Sequence, residues 1–139
     1  MSSSIVVDTN IISYFYLNTP NTGKAESLFQ QVPGWYAPYL WRSEFRNVLA
    51  LYLRNKLISM ENSFTTMENA ERLIKGNEYH ITSRHILMLV NDSKCSACDC
   101  EFVALAQQLN VKLVTEDKKI ISEFSDIAVD IDTFLKTRC

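Results

Sequence analysis

Ile5-Val6-Val7-Asp8-Thr9-Asn10-Ile11-Ile12 decides the fold. Three branched apolar residues read as a short buried strand, and Asp8-Thr9-Asn10 supplies helix-capping chemistry. The apolar run Ile11 to Leu17 then predicts a helix. The same grammar recurs at Val111-Lys112-Leu113-Val114-Thr115-Glu116-Asp117, a strand with an acid just past its carboxyl end and a helix over Lys118 to Phe124. Between them, Trp35-Tyr36-Ala37 reads as a strand, stopped by Pro38. Helices are expected over Lys24–Gln31, Leu40–Arg54, Met60–Ile74, Ser83–Val90 and Asp99–Leu109. Glu78–Ile81 and Ile127–Ile131 are further short extended pieces, and Thr133–Lys136 a terminal turn. Alternating strands and helices predict a three-layer α/β/α sandwich around a mainly parallel sheet. In such sheets ligands sit beyond the carboxyl ends of the strands.

Asp8 and Asp117 stand at two such ends. Glu44 follows Trp41 by three residues and precedes Val48 by four, so it rides the edge of an apolar helical stripe. Asp99 shares its face with Phe102, Val103 and Ala106. A helix dipole favours an acid at that position by only about 0.3–1 kcal/mol, too little to offset burial. Four inward carboxylates with no Lys or Arg on the same stripes call for a cation. Carboxylate oxygens select a hard one, Mg²⁺ or Mn²⁺.

Composition limits the alternatives. The 139 residues, 47% hydrophobic and 22% charged, fit one globular domain over residues 1–139. No apolar stretch is long enough to span a bilayer, and Met1-Ser2-Ser3-Ser4 carries no signal-peptide pattern, so a cytosolic protein is expected. The net charge of −2 is unhelpful for binding nucleic acid. Local basic clusters at Arg42, Arg46, Arg54 and Lys56, and at Lys118 and Lys119, soften that objection, as would a bound divalent ion. Cys95, Cys98, Cys100 and Cys139 lack a second ligand pair at zinc spacing and are read as reduced thiols.

In this order and spacing the residues resemble the PIN-domain ribonucleases. Val7-Asp8-Thr9-Asn10-Ile11-Ile12-Ser13 is similar to that family's opening motif, Asp99-Cys100-Glu101-Phe102-Val103-Ala104-Leu105-Ala106 to its Asp-anchored helix, and Leu113-Val114-Thr115-Glu116-Asp117 to its strand-end motif. Glu44, in Trp41-Arg42-Ser43-Glu44-Phe45, takes the place of the mid-chain acid. The compact size is most like VapC-type toxins. The resemblance implies an endoribonuclease dependent on Mg²⁺ or Mn²⁺, a homodimer, and an antitoxin protein as partner. It implies Asp8, Asp99 and Asp117 as metal ligands, with Glu44 completing the cage and orienting the attacking water. Thr9, Asn10 and Thr115 would support them by hydrogen bonds. Cys98 and Cys100 replace the aromatic residue and the alanine that commonly flank the helix acid, so thiol oxidation there is expected to impair metal binding. A housekeeping RNA-processing nuclease and a non-catalytic RNA- or protein-binding module are the competing readings. A haloacid-dehalogenase-like phosphatase needs a second Asp at the position of Asn10.

For individual residues, blander readings compete. Asp8, Asp99 and Asp117 can be plain helix caps, and Glu44 a solvated charge paired with Arg46. Tyr14, Tyr16, Trp35, Tyr39 and Trp41 suit core packing or a partner surface better than base stacking. Arg42 and Arg46 share a face that suits phosphates or solvent equally. Glu101 and Glu116 are expected to turn away from the acidic cluster, and Asp92 to be exposed.

Overall fold

The computed structural model describes residues 4–138; Cys139, one of the cysteines weighed above, lies outside them. Strand β1 (Ser4–Val7) leads through α1 (Thr9–Tyr16) and α2 (Thr22–Gln31) to β2 (Gly34–Pro38). Helices α3 (Leu40–Arg54) and α4 (Met60–Ile74) connect to β3 (Glu78–Tyr79). Helices α5 (Ser83–Asn91) and α6 (Ala97–Leu109) return the chain to β4 (Leu113–Val114). Helix α7 (Lys118–Glu123), β5 (Ala128–Val129) and α8 (Ile131–Lys136) follow.

The strands form one five-stranded sheet in the order β3-β2-β1-β4-β5. Every pairing is parallel: Val6 lies opposite Tyr36 on one side and Leu113 on the other, and Pro38 opposite Tyr79. This is the layered α/β arrangement expected from the alternation of elements. Strand β1 sits in the middle, with Val6 and Val7 fully buried, because a parallel strand is covered on both faces. Helices α1, α3 and α4 pack with one another on β1 and β2, while α6 packs on β1, β2 and β4 and is backed by α5. Trp35, Trp41, Phe45 and Phe102 are the largest side chains buried between these layers.

Several ends differ from the sequence reading for local reasons. Helix α6 starts before Asp99, because the Ser96 hydroxyl accepts the Asp99 amide at 3.1 Å and caps the helix. Strand β5 stops at Val129 because Asp130 caps α8, accepting the Thr133 amide at 2.7 Å. Gly76, at φ 85°, turns the chain out of α4 and into β3, a conformation that favours glycine.

Candidate active site

Parallel pairing carries the carboxyl ends of β1 and β4 to the same edge of the sheet, side by side. Asp8, the residue after β1, caps α1. Its Oδ1 accepts the Thr9 amide at 2.7 Å, and its Oδ2 accepts the Thr115 hydroxyl at 2.7 Å and Asn10 Nδ2 at 3.4 Å. Thr115, the residue after β4, is fully buried. Its hydroxyl oxygen in turn accepts the Asp117 amide at 3.0 Å. Asn10 Oδ1 accepts the Glu116 amide at 3.4 Å. The Thr9 amide and the Asn10 and Thr115 side chains thus surround the Asp8 carboxylate.

Thr9 donates its hydroxyl to Glu44 Oε1 at 2.6 Å, bridging α1 to α3. Asp117 caps α7, with Oδ1 accepting the Lys119 and Ile120 amides at 2.9 and 3.3 Å. Asp99, in the first turn of α6, has a carboxylate free of hydrogen-bond partners among the described residues. Asp8, Glu44, Asp99 and Asp117 line a single cleft of about 480 Å³, together with Asn10, Asn47 and other polar groups. Among the described residues no Lys or Arg lines it. A larger cavity of about 640 Å³ opens at the amino ends of β1 and β4, where no such cluster of acids stands.

Burial is less uniform than the sequence implies. Only Asp8 is buried; Glu44, Asp99 and Asp117 are partly exposed, because a cleft needs an open side. Burial pushes the Asp8 carboxyl above its ordinary value against the hydrogen bonds from Thr115 and Thr9, and the charges of Asp99 and Asp117 push it further. Glu44 is likewise raised by burial, against its bond from Thr9, and then by Asp8, Asp99 and Glu101. Glu116 turns away as expected, accepting the Ile131 amide at 2.9 Å, and Asp92 is exposed. Glu101 does not turn away fully, since its charge bears on Glu44. Arg42 is committed elsewhere, to Glu78 and Glu71, and Glu44 bonds Thr9 rather than Arg46. Trp35 and Trp41 are core residues. Asn47, which also lines the cleft, was not singled out from the sequence, and Tyr52, which lines it too, was read only as part of the apolar face of its helix. Their helical spacing of three and eight residues from Glu44 is the signal that marks them.

Whether these groups suit a cation follows from their chemistry. Among the described residues, no three acidic, His or Cys side chains close on one point as a ready coordination shell. Four mutually repelling carboxylates around an open cleft nonetheless fit a hard divalent ion that keeps much of its water, as Mg²⁺ does. Only oxygen donors are offered, which disfavours the softer metals.

The sequence matches the PIN domain family over residues 5–128. The chain belongs to that family, whose members are in general nucleases. No curated protein matches the sequence significantly. Among solved structures, PAE2754 from Pyrobaculum aerophilum superposes with a TM-score of 0.75 at 13% identity, over 96% of this chain and 87% of that one. FitAcB from Neisseria gonorrhoeae gives 0.70 at 20% identity, over 91% and 96%. A toxin–antitoxin complex from Klebsiella pneumoniae gives 0.64 at 19% identity, over 92% and 98%. At such identities these likenesses speak for the fold.

Proposed function

We propose that this PIN domain is a divalent-metal-dependent endoribonuclease and the toxin of a toxin–antitoxin pair. The observation that carries the nuclease reading is the convergence of Asp8, Glu44, Asp99 and Asp117 on one cleft without a lining Lys or Arg. Asp8, Asp99 and Asp117 would hold Mg²⁺ or Mn²⁺, directly or through water, with Glu44 closing the set. When bound, the ion would lower the pKa of a bound water and offset charge on the non-bridging phosphate oxygens. The chain's own part is positional. The Thr9 amide and the Thr115 hydroxyl fix the two oxygens of Asp8. The Thr9 hydroxyl fixes one oxygen of Glu44, leaving the other to orient the attacking water. Burial raises the Glu44 carboxyl, which makes it the better proton acceptor.

The toxin reading rests on the Klebsiella pneumoniae complex, whose matched chain is covered almost end to end. Apolar surface agrees with protein partners. Leu51, Leu57, Met60 and Phe64 on and between α3 and α4, and Leu87 and Met88 on α5, are each more than half exposed. Exposed apolar groups in such number mark interaction surfaces, which suits an antitoxin and a second copy of this chain. No helix among the described residues is long and apolar enough to cross a membrane, in keeping with work on cytosolic RNA.

The test is cleavage of a panel of structured and single-stranded RNAs by partner-free protein, with Mg²⁺, Mn²⁺ or EDTA, beside Asp8→Asn. Cleavage that needs the metal and Asp8 is expected. No cleavage, with calorimetry detecting no divalent-ion binding, would instead leave a binding module. Growth arrest on expression without a partner would separate a toxin from a housekeeping nuclease.

A further inference from the structure

Two rings stand at the cleft edge of the sheet without a role in the acidic site. Tyr39 follows β2 and His80 follows β3. Their rings stack at 4.4 Å between centroids, with 24° between planes. His80 is exposed and Tyr39 is 40% exposed, so the stack contributes little to the core. It is nevertheless firmly built. The Tyr39 amide bonds the Tyr79 carbonyl at 3.1 Å, and the Arg42 guanidinium lies over the Tyr39 ring, 5.8 Å from its centroid. Arg42 is itself clamped by both oxygens of Glu78, at 2.6 and 2.8 Å, one of which also accepts Trp41 Nε1 at 2.8 Å.

The sheet order puts His80, Tyr39, Asp8 and Thr115 in a row along one edge, each just past its strand. Adjacent strands lie about 4.8 Å apart, so β3 stands roughly 10 Å from β1. A short piece of single-stranded RNA spans that distance. An open ring face beside a phosphate-cleaving centre is what an unpaired base recognises, since any base offers a π-face for stacking. A base inside a duplex offers none, which selects single-stranded or looped RNA. Arg46, exposed one helical turn beyond Arg42, stands ready for a neighbouring phosphate.

Building on the nuclease reading, we propose that Tyr39 and His80 form a base-stacking subsite that seats an unpaired nucleotide of the RNA substrate beside the scissile phosphate. The stack sets which strand position enters the acidic cleft, and its contribution falls on binding rather than on the chemical step.

The test uses short single-stranded RNAs carrying 2-aminopurine at successive positions, bound to the Asp8→Asn protein with Mg²⁺. Quenching is expected at one position. His80→Ala should abolish that quenching and weaken binding about tenfold, and His80→Phe should restore both. In the protein with native Asp8, His80→Ala should raise KM by a similar factor and leave kcat unchanged. An unchanged melting temperature would show that the exposed His80 is dispensable for folding. Binding and quenching that ignore His80→Ala overturn the subsite, and so does cleavage by the native protein with no position quenched. Quenching that depends on His80 without any cleavage keeps the subsite and overturns the nuclease reading. Failure to bind any of the RNAs overturns both and leaves the stack as a surface for protein.

Discussion

The Thr9 hydroxyl donates to Glu44 Oε1 at 2.6 Å, across 35 residues of sequence. The same residue's amide donates to Asp8. One threonine thus sets the spacing between the acid after β1 and the acid on α3. Thr9→Val keeps the shape and removes the hydroxyl. It should lower cleavage about 10- to 100-fold and shift the Mg²⁺ requirement upward, the usual cost of losing a group that orients a ligand. Thr9→Ser should restore most of the rate. Metal titrations of the cleavage rate check both, and a Thr9→Val protein with full activity would exclude the bridge from function.

Burial of the Asp8 carboxyl carries a cost. The group's pKa is raised above the ordinary value of 3.8, chiefly by burial. Below that ordinary value the group is protonated whether folded or not, and its titration is neutral. Between 3.8 and the raised folded value, the folded state binds the extra proton, so stability falls as pH rises through this window and stays lower above it. Metal-free Asp8→Asn should therefore be more stable than the native protein at neutral pH, by about 1 kcal/mol, with the difference vanishing as pH falls toward 3.8. Mg²⁺ should raise the melting temperature of the native protein and not that of Asp8→Asn. Thermal scans across pH, with and without Mg²⁺, read all of this.

Glu78 behaves in the opposite sense. Burial pushes its carboxyl up, but the bonds from Arg42 and Trp41 and the charge of Arg42 more than offset this and hold it below the usual 4.5. The pair's contribution is fully present above 4.5 and is lost as pH falls through the lower folded value. Arg42→Ala leaves the Glu78 side chain, only 5% exposed, with Trp41 as its remaining donor. Because Arg42 is itself 34% exposed, the expected loss is about 2 kcal/mol, less than for a fully buried pair. Urea unfolding at neutral pH measures it. If the same loss persists well below pH 4, the ion pair is not its origin.

The thiols beside Asp99 should resist oxidation, contrary to the expectation drawn from Cys98 and Cys100 flanking the helix acid. Among the described residues Cys95 and Cys100 are buried and Cys98 is exposed. Burial pushes all three up, Cys95 to about 11, with the charge of Asp99 adding to the effect. The thiolate is the reactive form, so little of it is present at neutral pH. Mild peroxide should leave metal-dependent cleavage unchanged, and Cys98→Ser should behave as the native protein. Rapid inactivation that Cys98→Ser prevents would show that the thiol is far more reactive than its surroundings imply.

The strand-then-acid grammar at Val7-Asp8 and Val114-Thr115-Glu116-Asp117 was enough to read a parallel sheet with acids at its carboxyl edge. Those features depend on residues close in sequence. Helical spacing found Glu44 and Asp99 for the same reason. The degree of burial was beyond reach, because it depends on which side of the cleft stays open. The fate of Arg42 was equally hidden. Its partners Glu71 and Glu78 lie 29 and 36 residues away, on elements whose packing no local pattern specifies. The Tyr39–His80 stack depends on β2 and β3 being neighbours, a fact of topology.

The bond between Thr115 and Asp8 joins residues 107 apart, with β1 at the centre of the sheet and β4 laid beside it late in the chain. Contacts so distant are slow to form, because loop closure must precede them. During synthesis the ribosome releases Asp8 well before the segment holding Thr115 and Asp117. The cleft therefore has no partly built version: its two halves meet only once β4 is laid beside β1.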